Sequence, residues 1–252
     1  MNLFDISGKK VIVTGASRGL GHAMAEGFLE AGCEVCIIGS QDNIFDIAKE
    51  FCDKGFKCHG VKADLSIRDE VYQGFNKCIE HLGTLDILVN SHGIQRRASS
   101  EIFSLEDWDD VINVNLSSVF IMCQEASKIM LEKNYGKIIN VASMLSFFGG
   151  QTIPAYAASK GGVAQLTKAF SNDLNARGIN VNAIAPGYMR TSMTEALQDE
   201  TNPRYIEITN RIPANRWGDA SDMKGTAIFL ASKASDYVTG AVIPVDGGYL
   251  TK

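Results

Sequence analysis

The sequence predicts an α/β fold, a single doubly wound parallel sheet of about seven strands with helices on both faces. Three observations carry that reading. Short apolar runs rich in Val and Ile recur along the chain, each followed by turn residues. Longer segments with helical spacing lie between them, so strand and helix alternate. No linker, low-complexity tract or change of composition interrupts the 252 residues, so one domain spanning 1–252 is expected.

The runs are "KKVIVTG", "CEVCIIG", "FKCHGVKAD", "LDILVNSHG", "GKIINVAS", "INVNAIAPG" and "AVIPVDGG". They have the length and β-branched content of strands buried on both faces. "GLGHAMAEGFLEAG" and "VYQGFNKCIEHLG" show helical spacing between them. The least regular stretch, 187–218, is long for a connection. Long segments after a strand's C-terminal end often cover substrates, and a substrate lid is expected there.

Composition excludes several function classes. The net charge is −5 without a strongly basic stretch, so nucleic acid is not an expected partner. No apolar run reaches the roughly 18 residues that span a bilayer. The start "MNLFDISGKK" lacks a signal-peptide layout. A soluble, cytoplasmic protein is the expectation. Cys33 and Cys36 form a CxxC at the start of a strand, where side chains three apart face opposite ways. Two small core residues are expected there, not a redox pair. The four histidines show no metal-ligand spacing, and no metal is expected.

The first run enters "TGASRGLG", residues 14–21, ahead of a helix. Gly15 suits a tight turn. Gly19 and Gly21 leave no Cβ in the way of a pyrophosphate at the helix N-terminus. Ser17, Arg18 and Leu20 complete this turn. Such turns also serve as plain connections, so the motif alone is a moderate signal. Asp64 and Leu65 close the third run; Asp64 could accept from an adenine amino group or cap a helix. The second run ends at Gly39 and Ser40, where NAD enzymes carry an acid for the ribose 2′-OH. Asp42 is close by, while Arg18 could pair with a 2′-phosphate. If the turn holds a dinucleotide, NAD(H) or NADP(H) is expected, with a slight lean to NADP(H); Arg18 as a solvated loop residue is an equal alternative.

Tyr156 and Lys160 lie four apart on an expected helix and share a face. Ser143 ends the run "GKIINVAS". An adjacent ammonium is expected to lower the phenol pKa, and the serine hydroxyl to bond the reacting oxygen. Tyr–Lys pairs at this spacing are also common on helix surfaces, but the combination with Ser143 and the Gly-rich turn points to proton transfer.

With these motifs in hand, the chain resembles the short-chain dehydrogenase/reductases, enzymes with a Rossmann-like fold. "TGASRGLG" matches their cofactor turn, and "NSHG" stands where they carry Asn-Asn-Ala-Gly. The resemblance assigns Asn90 and Gly93 to the cofactor wall and Asn115, in "NVNLSSVF", to a proton relay through water to the lysine. Ser143, Tyr156 and Lys160 match the active-site residues. Pro186 and Gly187, in "APGYMRT", match the segment over the nicotinamide, with Thr191 placed to bond its carboxamide. "VDGG" extends the match to 248. Homotetramers are common in the family and are expected here. His92 departs from the family's small residue; it either reaches over the adenosine side or fills space.

The stretch "VNSHGIQRR" leaves the fourth strand at the edge that faces ligand in open parallel sheets. Arg96 or Arg97 is therefore expected to hold a substrate carboxylate through paired hydrogen bonds, with Ser143 and Met144 nearby. Two solvated arginines or a subunit contact is the plain alternative. "GIQRRA", "SMLSFFGG" and "RIPANRWG" resemble a sugar-acid branch of the family, with dehydro-deoxygluconate or gluconate as candidate substrates. Arg216 and Trp217 are secondary candidates for closing the pocket, a structural role being equally open. The rivals are a 3-oxoacyl-thioester reductase and a non-catalytic dinucleotide sensor on the same fold.

Overall fold

The computed structural model describes residues 2–252. In chain order its elements are β1 Lys10–Thr14, α1 Gly19–Glu30, β2 Glu34–Gly39, α2 Asn43–Asp53, β3 Lys57–Lys62, α3 Arg68–Leu82 and β4 Ile87–Asn90. Then follow α4 Leu105–Ile112, a π-helical turn Asn113–Ser117, α5 Ser118–Glu132, β5 Gly136–Val141, α6 Pro154–Leu174 and β6 Ile179–Pro186. A 3₁₀ turn Ser192–Leu197, α7 Pro203–Arg211, α8 Asp222–Ala231 and β7 Val242–Val245 complete the fold.

All seven expected runs are strands. They form one parallel sheet in the order β3-β2-β1-β4-β5-β6-β7. Chain direction across the sheet reverses between β1 and β4, which opens a crevice beyond their C-terminal ends. Alternation along the strands splits the core in two. Ile12, Cys36 and Leu88 point into one layer with Phe75, Met122 and Val163 of α3, α5 and α6. Val11, Val13 and Ile37 point into the other with Phe28, Phe51 and Leu230 of α1, α2 and α8. Each large apolar side chain removed from water contributes about 2 kcal/mol, before chain entropy is subtracted. Cys33 and Cys36 fall in opposite layers. Burial pushes the Cys33 thiol up to about 12, which leaves it inert as a nucleophile.

A third, smaller cluster lies at the crevice end. Tyr205, Ile208, Ile212 and Trp217 pack there against Met144 and Tyr249. Trp217 is fully buried, stacks on Tyr205 at 5.2 Å and donates from Nε1 to Thr209 Oγ1 at 3.0 Å. The segment 187–218 is thus ordered by its own apolar centre and by strand-like bonds between Tyr188–Arg190 and Gly218.

Candidate active site

The Gly-rich turn leaves β1 at the crevice. Gly15 and Gly19 adopt φ values of +65° and +61°, which an L side chain resists. A Cβ on Gly21 would stand 2.4 Å from the Gly15 oxygen. A Cβ on Gly19 would meet nothing closer than Thr191, at 3.8 Å. The turn therefore presents an open, Cβ-free cradle at the N-terminus of α1. No side chain caps that helix and its first turn holds no acid, so its N–H groups and positive dipole end are free for an anion. Ser91 Oγ is buried beside Gly21 without a hydrogen-bond partner, in the wall of the main cavity. An open cradle, an uncapped helix end and an orphan hydroxyl fit a dinucleotide pyrophosphate.

Around the second strand's end, Ser40 is exposed and Asp42 is paired to Lys62 at 2.9 Å. Arg18, at the N-cap of α1, is exposed as well. Asp64 uses its carboxylate locally, accepting from the Ser66 N–H and hydroxyl at 2.9 and 2.8 Å, and Leu65 is buried in the core.

The proton-handling group lies farther along the crevice. Ser143 follows the end of β5 and caps a 3₁₀ turn by accepting from the Leu145 N–H at 3.1 Å. Pro154 opens α6 at a position where its missing N–H is not needed, and one turn of that helix separates Tyr156 from Lys160. Lys160 Nζ lies 5.7 Å from the Tyr156 ring centre and donates to the Val141 oxygen at 2.6 Å. Burial pulls the Lys160 ammonium down to about 8. Burial also raises the Tyr156 phenol, opposed by the neighbouring Ser143 hydroxyl. This reverses the direction expected from sequence. Taking the phenol out of water outweighs the lowering by Ser143, so the resting pair is a protonated phenol beside a weakened ammonium.

Asn115 sits in the π-helical turn, fully buried. Its Oδ1 accepts from the Ile94 N–H at 2.8 Å, and its Nδ2 donates to the Ile94 oxygen at 2.9 Å and to Ser159 Oγ at 3.2 Å. The amide clamps the loop after β4. Asn90 is buried in β4 and donates to Asn140 Oδ1 at 2.9 Å, out of the cavity wall. Gly93, Pro186, Gly187, Thr191 and Leu20 line the cavity with Ser143, Met144, Tyr156 and Lys160.

The cavity holds about 560 Å³. Arg97 lines it; Arg96 does not. Arg96 turns instead to α4, pairing with Asp107 at 3.2 Å and Asp110 at 3.6 Å. Of the two alternatives expected to meet substrate, Arg96 or Arg97, the structure brings Arg97 to the cavity. Arg216 and Trp217 also stay outside it: Arg216 is paired with Asp222 at 2.7 Å, and Trp217 is core. Two arginines that sequence reasoning passed over do line the cavity. Arg204, Ile208 and Arg211 recur at i, i+4 and i+7 on α7 and share the face turned to it. That spacing was a usable signal. Arg211 rests 4.2 Å from the Tyr249 ring centre, which fixes its guanidinium. Among the described residues, none lining the cavity is acidic, while Lys160 and three arginines are cationic.

Comparison with known proteins agrees with this arrangement. The family profile described as enoyl-(acyl carrier protein) reductase matches residues 15–250. The chain is 45% identical over 253 residues to the 2-dehydro-3-deoxy-D-gluconate 5-dehydrogenase of Escherichia coli strain K12, covering 100% of this chain and 99% of that protein. It superposes with a TM-score of 0.95 on the gluconate 5-dehydrogenase of Burkholderia cenocepacia J2315 solved with NADP and tartrate, at 37% identity, covering 100% of this chain and 98% of that one. A short-chain type dehydrogenase/reductase from Mycobacterium marinum matches with a TM-score of 0.93 at 33% identity, covering 100% and 99%. The cradle after β1, the Tyr156–Lys160 pair and these full-length likenesses converge: the chain belongs to the short-chain dehydrogenase/reductase family of NAD(P)-dependent oxidoreductases.

Proposed function

We propose that the protein interconverts a secondary alcohol and a ketone on a sugar acid, with a dehydro-deoxygluconate as substrate and NADP(H) as cofactor. One observation carries the reading: a Ser–Tyr–Lys group opens into a cavity lined by three arginines and no acid. Such a lining suits a substrate with a carboxylate. It does not suit a neutral alcohol, which has nothing to offset the self-repulsion of the cations. The relatives named for dehydro-deoxygluconate and gluconate support the same class.

A nicotinamide cofactor held in this crevice would supply or accept a hydride at the substrate carbon. In reduction, Tyr156 Oη gives its proton to the substrate oxygen, a role that its protonated resting state suits. Ser143 Oγ bonds the same oxygen and holds it in line. Lys160 keeps positive charge beside the phenolate that is left, so the phenol becomes a better acid at the moment of transfer. Asn115 positions the loop after β4, and a water held there would pass the replacement proton to Lys160. Met144 borders the substrate.

Gly15, Ser17, Gly19, Leu20 and Gly21 would hold the pyrophosphate. Asp64 and Leu65 would border the adenine, and Gly93, Pro186, Gly187 and Thr191 the nicotinamide side, with Asn90 bracing β4 behind them through Asn140. Arg18 would pair with a 2′-phosphate near Ser40. Asp42 is already neutralised by Lys62, which weakens the repulsion an NAD-type acid would exert there. The segment 187–218 would act as the lid of one domain spanning 1–252. A cytoplasmic homotetramer is proposed as well, supported by apolar side chains left in water on α4 and α5, Leu105, Trp108 and Phe120.

The test follows nicotinamide absorbance with 3-deoxy-2,5-diketo-gluconate, 5-ketogluconate and an acetoacetyl thioester, each with NADPH and with NADH. Fast turnover of a keto acid with NADPH is expected. Turnover of the thioester alone would overturn the reading.

A further inference from the structure

His92 is buried between three elements and takes no part in the proton transfer described above. Its Nδ1 lies 2.6 Å from Thr14 Oγ1, at the end of β1, and its Nε2 lies 2.6 Å from Ser118 Oγ, at the start of α5. Its main chain packs under the Gly-rich turn: a Cβ on Gly15 would stand 2.7 Å from His92 Cα. It stands under the cofactor turn and in the wall of the cavity.

The π-helical turn explains the imidazole. The Ser118 N–H bonds to the Asn113 oxygen, five residues back, and so bypasses the Val114 oxygen that a regular α-helix would give it. Ser118 Oγ donates to that Val114 oxygen at 2.6 Å. Its one hydrogen is then used, and toward His92 it can only accept. Nε2 must therefore carry the ring proton. Nδ1 is left as an acceptor, so the Thr14 hydroxyl donates to it, and Thr14 Oγ1 accepts in turn from the Ser91 N–H at 3.0 Å. The opposite polarity would withdraw the Ser118 donor from Val114 and send the Thr14 hydrogen to the Val89 oxygen, 3.3 Å away. The first polarity uses the short contacts and satisfies the carbonyl at the bulge.

We infer that His92 is a positioning residue: as a neutral Nε2–H imidazole it fixes the Thr14 and Ser118 hydroxyls. It thereby holds the cofactor turn against the π-helical turn that carries Asn115. A ring with the proton on both nitrogens would break this chain of donors. Burial and the nearby Lys160 charge keep the imidazole neutral, lowering it to about 3.

The inference rests on the proposed oxidoreductase reading for its kinetic arm only. The first measurement is the nitrogen-15 spectrum of the histidine rings in the intact protein. A single Nε2–H tautomer that does not titrate across neutral pH is expected; an Nδ1–H ring, a mixture or a titrating ring overturns the inference. The second compares His92→Leu, which fills the space without hydrogen bonds, with His92→Gln, whose amide can accept on one side and donate on the other. His92→Leu is expected to weaken NADPH binding, read by fluorescence, by about tenfold and to lower kcat with little change in the keto-acid KM. His92→Gln is expected to recover most of both. A Leu variant with native NADPH affinity and native kcat overturns the inference. Failure of every keto acid as a substrate would leave the tautomer and NADPH arms intact and count against the substrate reading alone.

Discussion

Lys160 Nζ bonds to the main-chain oxygen of Val141 at 2.6 Å, so the lysine is tied to the last residue of β5 rather than hydrogen-bonded to the tyrosine one turn away. With burial holding the ammonium at about 8, its charge is lost as pH rises through that value. Reduction needs the charged lysine beside the departing proton. The kcat/KM for a keto acid is expected to be level below about pH 8 and to fall by about tenfold per pH unit above it. A flat profile across that range would remove Lys160 from the step.

The same burial makes Lys160 a strain on the fold. Its pKa is about 8 folded and 10.5 for a free lysine. Between those values the unfolded chain binds more protons, so this group makes stability rise with pH there, and below about pH 8 the penalty is complete, about 3 kcal/mol. Lys160→Met is therefore expected to abolish turnover while raising the Tm at neutral pH by about 2–6 °C, after allowing for the lost Val141 bond. A lowered Tm in thermal denaturation would show that the bond outweighs the charge.

Tyr156→Phe removes the proton donor without changing volume by more than one oxygen. Turnover is expected to fall by about a thousandfold or more, with NADPH affinity within about threefold of native. Residual activity near native would assign the proton to another group.

The arginines separate cleanly. Arg204→Ala and Arg211→Ala are expected to raise the keto-acid KM by about tenfold each with kcat nearly kept, since a carboxylate contact is shared by ground and transition states. Arg97→Ala is expected to act in the same direction. Arg96→Ala removes only exposed pairs to Asp107 and Asp110, so its KM is expected to stay within about twofold of native. Steady-state kinetics on the four variants checks this, and an Arg96 effect as large as that of Arg211 would contradict the observed pairing.

Two glycines of the cofactor turn should fail differently. Gly21→Ala drives a methyl to 2.4 Å from the Gly15 main-chain oxygen, so loss of stability by more than about 2 kcal/mol is expected in chemical denaturation. Gly19→Ala meets only an ordinary contact with Thr191 and backbone strain of about 1 kcal/mol, yet its methyl enters the cradle. Here the fold is expected to survive and NADPH affinity to drop.

Much of this was legible in the residues. Local apolar runs and turn residues mark all seven strands, because strands buried on both faces must be apolar throughout. The Gly15–Gly21 turn and the Tyr156–Lys160 spacing are local too. What escaped depends on distant neighbours. Arg96 and Arg97 are adjacent in sequence, and only the placement of α4 sends one of them to Asp107 and Asp110. The Tyr156 direction was misjudged because the four-residue spacing reveals the charge partner and not the depth of burial. Arg204 and Arg211 were overlooked in favour of Arg216 and Trp217, since the tryptophan looks like a ligand contact until its stacking on Tyr205 makes it core.

Trp217 and its aromatic neighbours give α7 an anchorage of its own, apart from the two layers that sandwich the sheet. The helix bearing Arg204 and Arg211 shares this cluster with Met144, the neighbour of Ser143, so the packing that holds the arginines also shapes the wall beside the proton-handling group.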